Sequence, residues 1–330
     1  MELLKDRFGR IASNLRISVT DRCNLACFYC SPLENRNNFP VEDILTLDEI
    51  RKLVRIFSDL GVDTIRLTGG EPLLRKGICD FIKELKTKCD IKRIRMTSNG
   101  VLLGKFYEEL KKSGLDSVNI SLDTLNQKKF KKITGYDKFS SVLDNILRIH
   151  KETPIKVRLN CVLLKNNVSE IDNFVNFADK HDLTIRFIEF MPFKGNSWLP
   201  TTFVSSNEII SYLQENNTLI PELLEHISQT SRMYKIKNKS GKIGFISSVS
   251  QTFCQWCNRI RITSDGMFRT CLHAPEEFSL RNLLRNHANN EDIKEKIIDF
   301  VNNKNEKHKD FLNEKDQLPV FNREMIKIGG

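Results

Sequence analysis

The sequence predicts an α/β protein, an incomplete TIM-type (β/α)6 barrel over residues 1–225 with a C-terminal extension over 226–330. Two observations predict it. From Leu15 to about Met191 short extended runs alternate with amphipathic segments, the signature of repeated βα units and a parallel sheet. Within those runs polar and apolar residues alternate strictly, whereas parallel strands covered on both faces read as nearly continuous Val, Ile and Leu. A length of 330 residues, 40% of them apolar and 28% charged, fits a globular protein of one large domain or two.

The extended runs begin at Leu15, Thr64, Ile91, Ser117, Ile155 and Thr184. Between the first two, Thr46-Leu-Asp-Glu49 is a capping box, Ile50, Leu53, Val54, Phe57 and Leu60 share one helix face, and Gly61 stands at the helix end. Comparable helices are expected around 77–87, 104–113, 138–150 and 169–180. Further on, 206–230 reads as helix and Met233–Lys237 with Lys242–Ser247 as a strand pair. Ser264-Asp265-Gly266 reads as the turn between strands Arg259–Thr263 and Met267–Cys271. From Leu280 helical stretches lead into an Asn/Lys/Glu-rich run, 302–316, that reads as a linker.

With the apolar residues toward the helices, the opposite strand face carries Arg16, Thr64, Arg66, Arg93, Arg95, Thr97, Asn119, Ser121, Lys156, Arg158 and Asn160. A closed barrel filled with side chains does not accommodate such a face, because each unpaired buried charge costs several kcal/mol. The interior therefore reads as a wide cavity for a large, polar, anionic ligand. A sandwich sheet with one face in water would show the same alternation; the helices between the strands weigh against it.

The formal net charge is +10, and residues 83–138 carry 14 Lys/Arg against 7 Asp/Glu. Many of these lysines fall on helices and read as a solvated outer face. No basic stripe interleaved with aromatics points to nucleic acid, and no apolar run of about 18 residues points to a membrane span. The start, Met1-Glu-Leu-Leu-Lys-Asp-Arg, lacks the features of a signal or transit peptide, so the cytoplasm is expected.

Nine cysteines, an odd number without an export signal, argue for thiolate chemistry rather than a disulfide framework. Cys79, Cys89 and Cys161 stand alone and read as buried small hydrophobes. Cys23, Cys27 and Cys30 follow the first strand, where barrel enzymes keep active-site loops. Three thiolates fall short of the four protein ligands of structural zinc; on a cubane iron–sulfur cluster they leave one iron open. The second set, Cys254, Cys257 and Cys271, is ambiguous by spacing alone, since with His273 it would also suit zinc.

The C-x3-C-x2-C spacing after a strand, with Thr20-Asp21-Arg22 before it, Tyr29 within it and Thr68-Gly69-Gly70-Glu71-Pro72 ending the second strand, resembles the radical S-adenosylmethionine superfamily. Further motifs are C-x2-C-x13-C, Cys257-Asn258-Arg259-Ile260-Arg261, Ile120-Ser-Leu-Asp123, Lys156-Val-Arg-Leu-Asn160, Arg186-Phe-Ile-Glu-Phe-Met191-Pro192 and the terminal Gly329-Gly330. With them, nearly the whole chain resembles the GTP 3′,8-cyclase family of molybdenum cofactor biosynthesis.

That resemblance implies two [4Fe-4S] clusters, one on Cys23, Cys27 and Cys30 and a second on Cys254, Cys257 and Cys271. It implies S-adenosylmethionine on the open iron of the first, near Tyr29, Gly70, Ser121 and Met191. GTP is implied at Arg16, Arg66, Thr97 and Arg158, with its purine at the second cluster beside Arg259, Ile260 and Arg261. Arg259, Arg261, Gly329 and Gly330 are the implied catalytic residues, the tail reaching in near Arg16. The implied reaction is that of a lyase: a 5′-deoxyadenosyl radical takes hydrogen from C3′ of GTP, and C3′ then bonds to C8, giving 3′,8-cyclo-7,8-dihydro-GTP. Implied partners are an external electron donor and a cyclic pyranopterin monophosphate synthase that receives the product, with the protein a monomer or homodimer.

The family commonly has Lys where this chain has Arg158, and the two cations bind phosphate with different geometry. The chain has no G-x-x-x-x-G-K-[S/T] motif, so the triphosphate is left to side chains. A radical enzyme acting on a peptide or RNA is the competing reading, and it ordinarily needs more C-terminal cysteines than three.

Overall fold

Six βα repeats organise the computed structural model, which describes residues 3–30, 32, 36–196, 198–223, 228–312 and 323–329. They comprise β1 (Asn14–Ser18), α1 (Leu47–Asp59), β2 (Thr64–Thr68), α2 (Ile78–Lys88), β3 (Arg93–Ser98), α3 (Tyr107–Ser113), β4 (Ser117–Ser121), α4 (Gln127–Thr134), α5 (Phe139–Glu152), β5 (Lys156–Leu163), α6 (Ile171–His181) and β6 (Thr184–Glu189). Then follow α7 (Ser206–Asn216), β7 (Leu219–Pro221), β8 (Arg232–Ile236), β9 (Lys242–Ile246), β10 (Arg259–Ile262), β11 (Met267–Arg269), β12 (Phe278–Ser279), α8 (Leu280–Arg285), α9 (Asn290–Asn302) and α10 (Met325–Ile328).

All these strands form one sheet in the order β12-β11-β10-β1-β2-β3-β4-β5-β6-β9-β8-β7. Its eight central members, β10 through β9, are parallel, so β10 and β9 flank the six expected strands. Among the described residues β9 and β10 do not pair with each other; the edges continue instead in antiparallel strands. The barrel is incomplete, open along that seam.

The apolar strand residues pack outward under the helices: Leu15, Ile17, Ile65, Leu67, Ile94, Met96, Val118, Ile120 and Leu159 are fully buried in one continuous core. Helix α1 buries the face its spacing predicts, and its capping box is formed, with Glu49 N–H donating to Thr46 Oγ1 (3.1 Å) and Thr46 N–H to Glu49 Oε2 (2.7 Å). Among the described residues no helix is long and apolar enough to cross a membrane.

Three local readings change. Helix α4, which the sequence reading passes over, is lysine-rich outside but anchored by buried Phe130 and Ile133, with Asn126 as N-cap and Gly135 as C-cap. The helix expected over 206–230 ends at Asn216, where the chain turns extended and β7 pairs with β8; residues 224–227 lie outside the described residues. The run 302–316 is not wholly a linker: Lys304 and Phe311 are buried, and 313–316 lie outside the described residues.

Buried Glu189, at the end of β6, ties the strand to its surroundings. Its carboxylate accepts from the amides of Ser206 (2.9 Å), Val249 (2.8 Å) and Ser250 (2.9 Å). Glu189→Ala leaves these donors without their acceptor and should destabilise the protein by about 3–5 kcal/mol, measured by urea unfolding; a loss below about 1 kcal/mol would contradict this role.

Candidate active site

The inner faces of adjacent strands carry arginines in register. Arg261 of β10 is level with Arg16 of β1, Arg16 with Arg66 of β2, and Arg66 with Arg95 of β3. One residue pair higher, Thr97, Asn119 and Arg158 are aligned on β3, β4 and β5, and Arg186 of β6 lies beside Asn160. Arg66 is 6% exposed and Arg261 4%. No ion pair with a described carboxylate relieves Arg16, Arg66, Arg158, Arg186, Arg259 or Arg261. Burial, then Arg261, Arg66, Arg259 and Arg186, push Arg16 well below the usual arginine range. Burial, then Arg186, Arg95, Arg158 and Arg259, do the same to Arg66. Arg186 and Arg261 are each pushed down to about 9, burial again dominating. Arginine keeps its proton in proteins, so these shifts register first the cost of burying the cations and then their mutual repulsion, both of which a polyanion would relieve.

Around this row several polar atoms are buried without a partner: Arg16 Nε, Asn14 Oδ1, Thr97 Oγ1, Ser117 Oγ and Asn119 Oδ1. Buried polar atoms are normally satisfied, and a cluster of orphans on one inner face fits a polar ligand. Arg93 and Lys156, at the strand starts, are exposed, and Arg93 pairs with Asp63 (3.1 Å).

The first thiol group sits beyond the C-terminal end of β1. Its loop is held by helix α4, whose terminal carbonyls at Thr134 and Ile133 accept the amides of Ala26 (2.8 Å) and Phe28 (3.1 Å). Arg36 donates to the carbonyls of Cys23 (2.8 Å) and Leu25 (2.5 Å). The turn after β2 zips onto the same segment through Gly70 N–H to Thr20 O and Glu71 N–H to Arg22 O, both 2.8 Å. A Cβ on Gly70 would come within 2.2 Å of Arg22 O. This close approach of two backbone segments within the chain requires glycine at position 70.

Tyr29 Oη donates to Asp123 Oδ2 (2.5 Å), and burial raises that carboxyl to about 6. Met191, like Tyr29 and Phe28, packs against a second apolar cluster that includes Ile133 and Phe190. A pocket lined by Cys27, Tyr29, Asn99, Ser121 and Asp123 opens beside them. Gly70, Tyr29 and Ser121 thus lie at the first thiol loop, and Met191 packs against the same apolar cluster as Tyr29.

Because β10 runs parallel to β1, Cys254 and Cys257, just before β10, lie at the opposite end of the sheet from Cys23. Cys271 follows β11, antiparallel to β10, and so returns to that same end. The arginine row lies between the two thiol groups. Burial raises the Cys257 thiol, but Arg259, then Lys304, outweigh it and bring it down to about 6. Burial pushes Cys30 up to about 12 and Cys27 well above the ordinary thiol range.

The tail enters between them. Arg323 bridges Asp265 (3.0 Å) and Glu277 (2.7 Å), and Gly329, at φ 84°, lies so close to Ser18 and Thr68 that a Cβ would fall 2.7 Å from each. Gly329 O accepts from Arg261 Nη1 (2.9 Å). Gly330 lies outside the described residues. Ile260 points the other way, its side chain fully buried in the core, so only its backbone faces the site. Arg186 is the inner cation the sequence reading left uncounted; the alternation of β6 carried the signal.

The donor sets fit iron–sulfur clusters: each offers three free thiols, the soft ligands such clusters take. The described residues hold no group of three or more His, Cys, Asp or Glu gathered as around a single ion.

Residues 17–178 match the Radical SAM superfamily, and residues 183–310 match Molybdenum Cofactor Synthesis C. The chain is 40% identical to the GTP 3′,8-cyclase of Peptoclostridium acidaminophilum, over 99% of this chain and 98% of that protein. The chain belongs to the GTP 3′,8-cyclase family. Within it, the mitochondrial enzyme of Arabidopsis thaliana is 39% identical over 100% of this chain and 84% of its own length. The Caenorhabditis elegans protein moc-5, 39% identical, is spanned over about half its length, 53%. Among solved structures the fold is similar to that of SuiB from Streptococcus suis, with a TM-score of 0.60 and 17% identity over 87% of this chain and 69% of that one.

Two consequences are measurable. Arg66→Met removes one trapped cation and should raise the melting temperature of the nucleotide-free protein by a few degrees, about 1–2 kcal/mol; a lower melting temperature would contradict the repulsion argument. Gly70→Ala forces Arg22 aside and should cost about 2–4 kcal/mol with loss of iron at the first thiol site, read by thermal unfolding and iron analysis.

Proposed function

We propose that this chain is a GTP 3′,8-cyclase that converts GTP to 3′,8-cyclo-7,8-dihydro-GTP, the first step of molybdenum cofactor biosynthesis. The observation that carries the reading is an inner sheet face of buried arginines in register between two three-thiol loops, in a chain about 40% identical to GTP 3′,8-cyclases over its whole length. In this reading Cys23, Cys27 and Cys30 hold a [4Fe-4S] cluster and Cys254, Cys257 and Cys271 a second. When bound, the first cluster and S-adenosylmethionine supply a 5′-deoxyadenosyl radical after one-electron reduction.

The chain's own residues bind and orient. Tyr29, Gly70, Ser121 and Met191 frame the cosubstrate. GTP brings about four negative charges, and Arg16, Arg66, Arg158 and Arg186 meet the triphosphate, where planar guanidinium groups each bond two oxygens. Thr97 offers its unpartnered hydroxyl. Arg259, Arg261 and the Ile260 backbone line the nucleotide toward the second thiol group, and the Gly329 carbonyl fixes the Arg261 fork while the tail excludes water. Residues 1–225 then house the radical chemistry and 226–330 the auxiliary site and tail. An external electron donor and a cyclic pyranopterin monophosphate synthase that takes the product complete the reading.

Anaerobic incubation of the reconstituted protein with S-adenosylmethionine, a strong reductant and GTP should yield 5′-deoxyadenosine together with a cyclised GTP. Deoxyadenosine released only with a peptide or RNA, or a protein with about one zinc and no sulfide, would overturn the proposal. Arg16→Glu should weaken GTP binding at least about hundredfold, roughly 2.7 kcal/mol, with iron content intact; unchanged affinity would refute the role of the arginine row.

A further inference from the structure

Outside the cavity, one buried cation is unexplained by nucleotide binding. Lys304, two residues beyond α9, is 4% exposed. Its ammonium donates to Arg259 O (3.1 Å) and Cys257 O (3.3 Å) and stands 3.8 Å from Cys257 Sγ. These contacts use its three donors. Among the described residues no carboxylate is within ion-pair distance of it. Lysine is almost never buried unless paired, because an isolated buried ammonium is costly. The anionic partner within reach is the sulfur.

The surrounding backbone fixes this placement. Lys304 N–H donates to Val301 O (3.0 Å) at the end of α9. Arg10, itself paired with Asp6 (2.6 Å), donates to Asn305 O (2.7 Å) and Glu306 O (2.6 Å) on one side and Cys254 O (2.9 Å) on the other. The 304–306 segment is thereby stapled to the second thiol loop at both Cys254 and Cys257.

We infer that Lys304 is a positioning residue of the second thiol site, holding the Cys257 loop by its carbonyls and raising the reduction potential of the iron–sulfur cluster bound there. The inference rests on the proposed reading that Cys254, Cys257 and Cys271 carry a cluster. A fixed positive charge beside a ligating sulfur stabilises the added electron of the reduced cluster, and hydrogen bonds to sulfur act in the same direction. Arg259 also neighbours this sulfur, but it faces the nucleotide cavity; Lys304 lies behind the loop and keeps its charge on the sulfur whether or not the cavity is filled.

The test is a redox titration followed by electron paramagnetic resonance on the full chain, repeated with Cys23, Cys27 and Cys30 replaced by Ala so that only the second site carries iron. Lys304→Met with wild-type iron and sulfide should shift the midpoint negative by at least tenfold in the reduction equilibrium, about 59 mV for one electron, and Lys304→Arg should restore most of it. An unchanged midpoint in an iron-replete Lys304→Met protein would overturn the inference, leaving Lys304 a carbonyl hook. Should Lys304→Met lose iron, Lys304→Gln, which still donates to both carbonyls without charge, carries the same reading with the same two outcomes. Failure of the underlying cluster reading is distinguishable: the triple-alanine chain with native Lys304 would then bind no iron and sulfide, and the inference would fall with it.

Discussion

Like charges set side by side on the inner sheet face are the constraint around which this molecule is arranged. Neighbouring strands are about 4.8 Å apart, so cations on level inner positions stand within reach of one another's field, and burial away from water strengthens that repulsion. Arg261, Arg16, Arg66 and Arg95 make three such neighbours in register. Burying them without an acidic partner is costly in its own right, and their mutual repulsion adds to that cost. The core beneath, Leu15, Ile17, Ile65, Leu67 and their fully buried neighbours, must outweigh it. Among the described residues β9 and β10 do not pair, so no continuous ring of strands closes around this face.

The same sheet sets the chemistry at its two ends. Parallel pairing of β10 with β1 sends Cys257 to one end and Cys23 to the other, with the cations between them. The two thiol groups differ electrostatically: burial dominates around Cys27 and Cys30, whereas Arg259 and Lys304 overcome it at Cys257. The C-terminal tail depends on this frame too. Arg323 on Asp265 and Glu277 delivers Gly329 to Arg261, so a short terminal segment is placed by charge pairing far better than an unanchored terminus would be.

What the sequence discloses follows the range of the interaction that decides it. The period-2 alternation of β1 to β6 and the Thr46–Glu49 capping box are local, so the strands, helix α1 and the basic inner face could be read directly. Strands β9 and β10 as parallel flanks of the barrel could not, because their partners are set by register with residues far away in the chain. Helix α4 was hidden by its lysines, since only Phe130 and Ile133 report a buried face. Arg186 was within reach through the alternation of β6. Lys304 was not: it lies in an Asn/Lys/Glu-rich run whose composition speaks for solvent, and its burial is explained by distant partners, the Arg259 and Cys257 carbonyls, the Cys257 sulfur and the Arg10 staple. The cysteine spacings were the strongest local signal, yet the placement of the two groups at opposite ends of one cavity came from topology alone.

The central claim is that the arginine row is built for the phosphates of the nucleotide. It is tested most directly by calorimetric titration of the cluster-loaded protein with GTP, GDP, GMP and guanosine at fixed ionic strength. Affinity should fall about tenfold or more with each phosphate removed, and the GTP constant should weaken steeply as salt is raised. Equal affinity across the series, insensitive to salt, would contradict it.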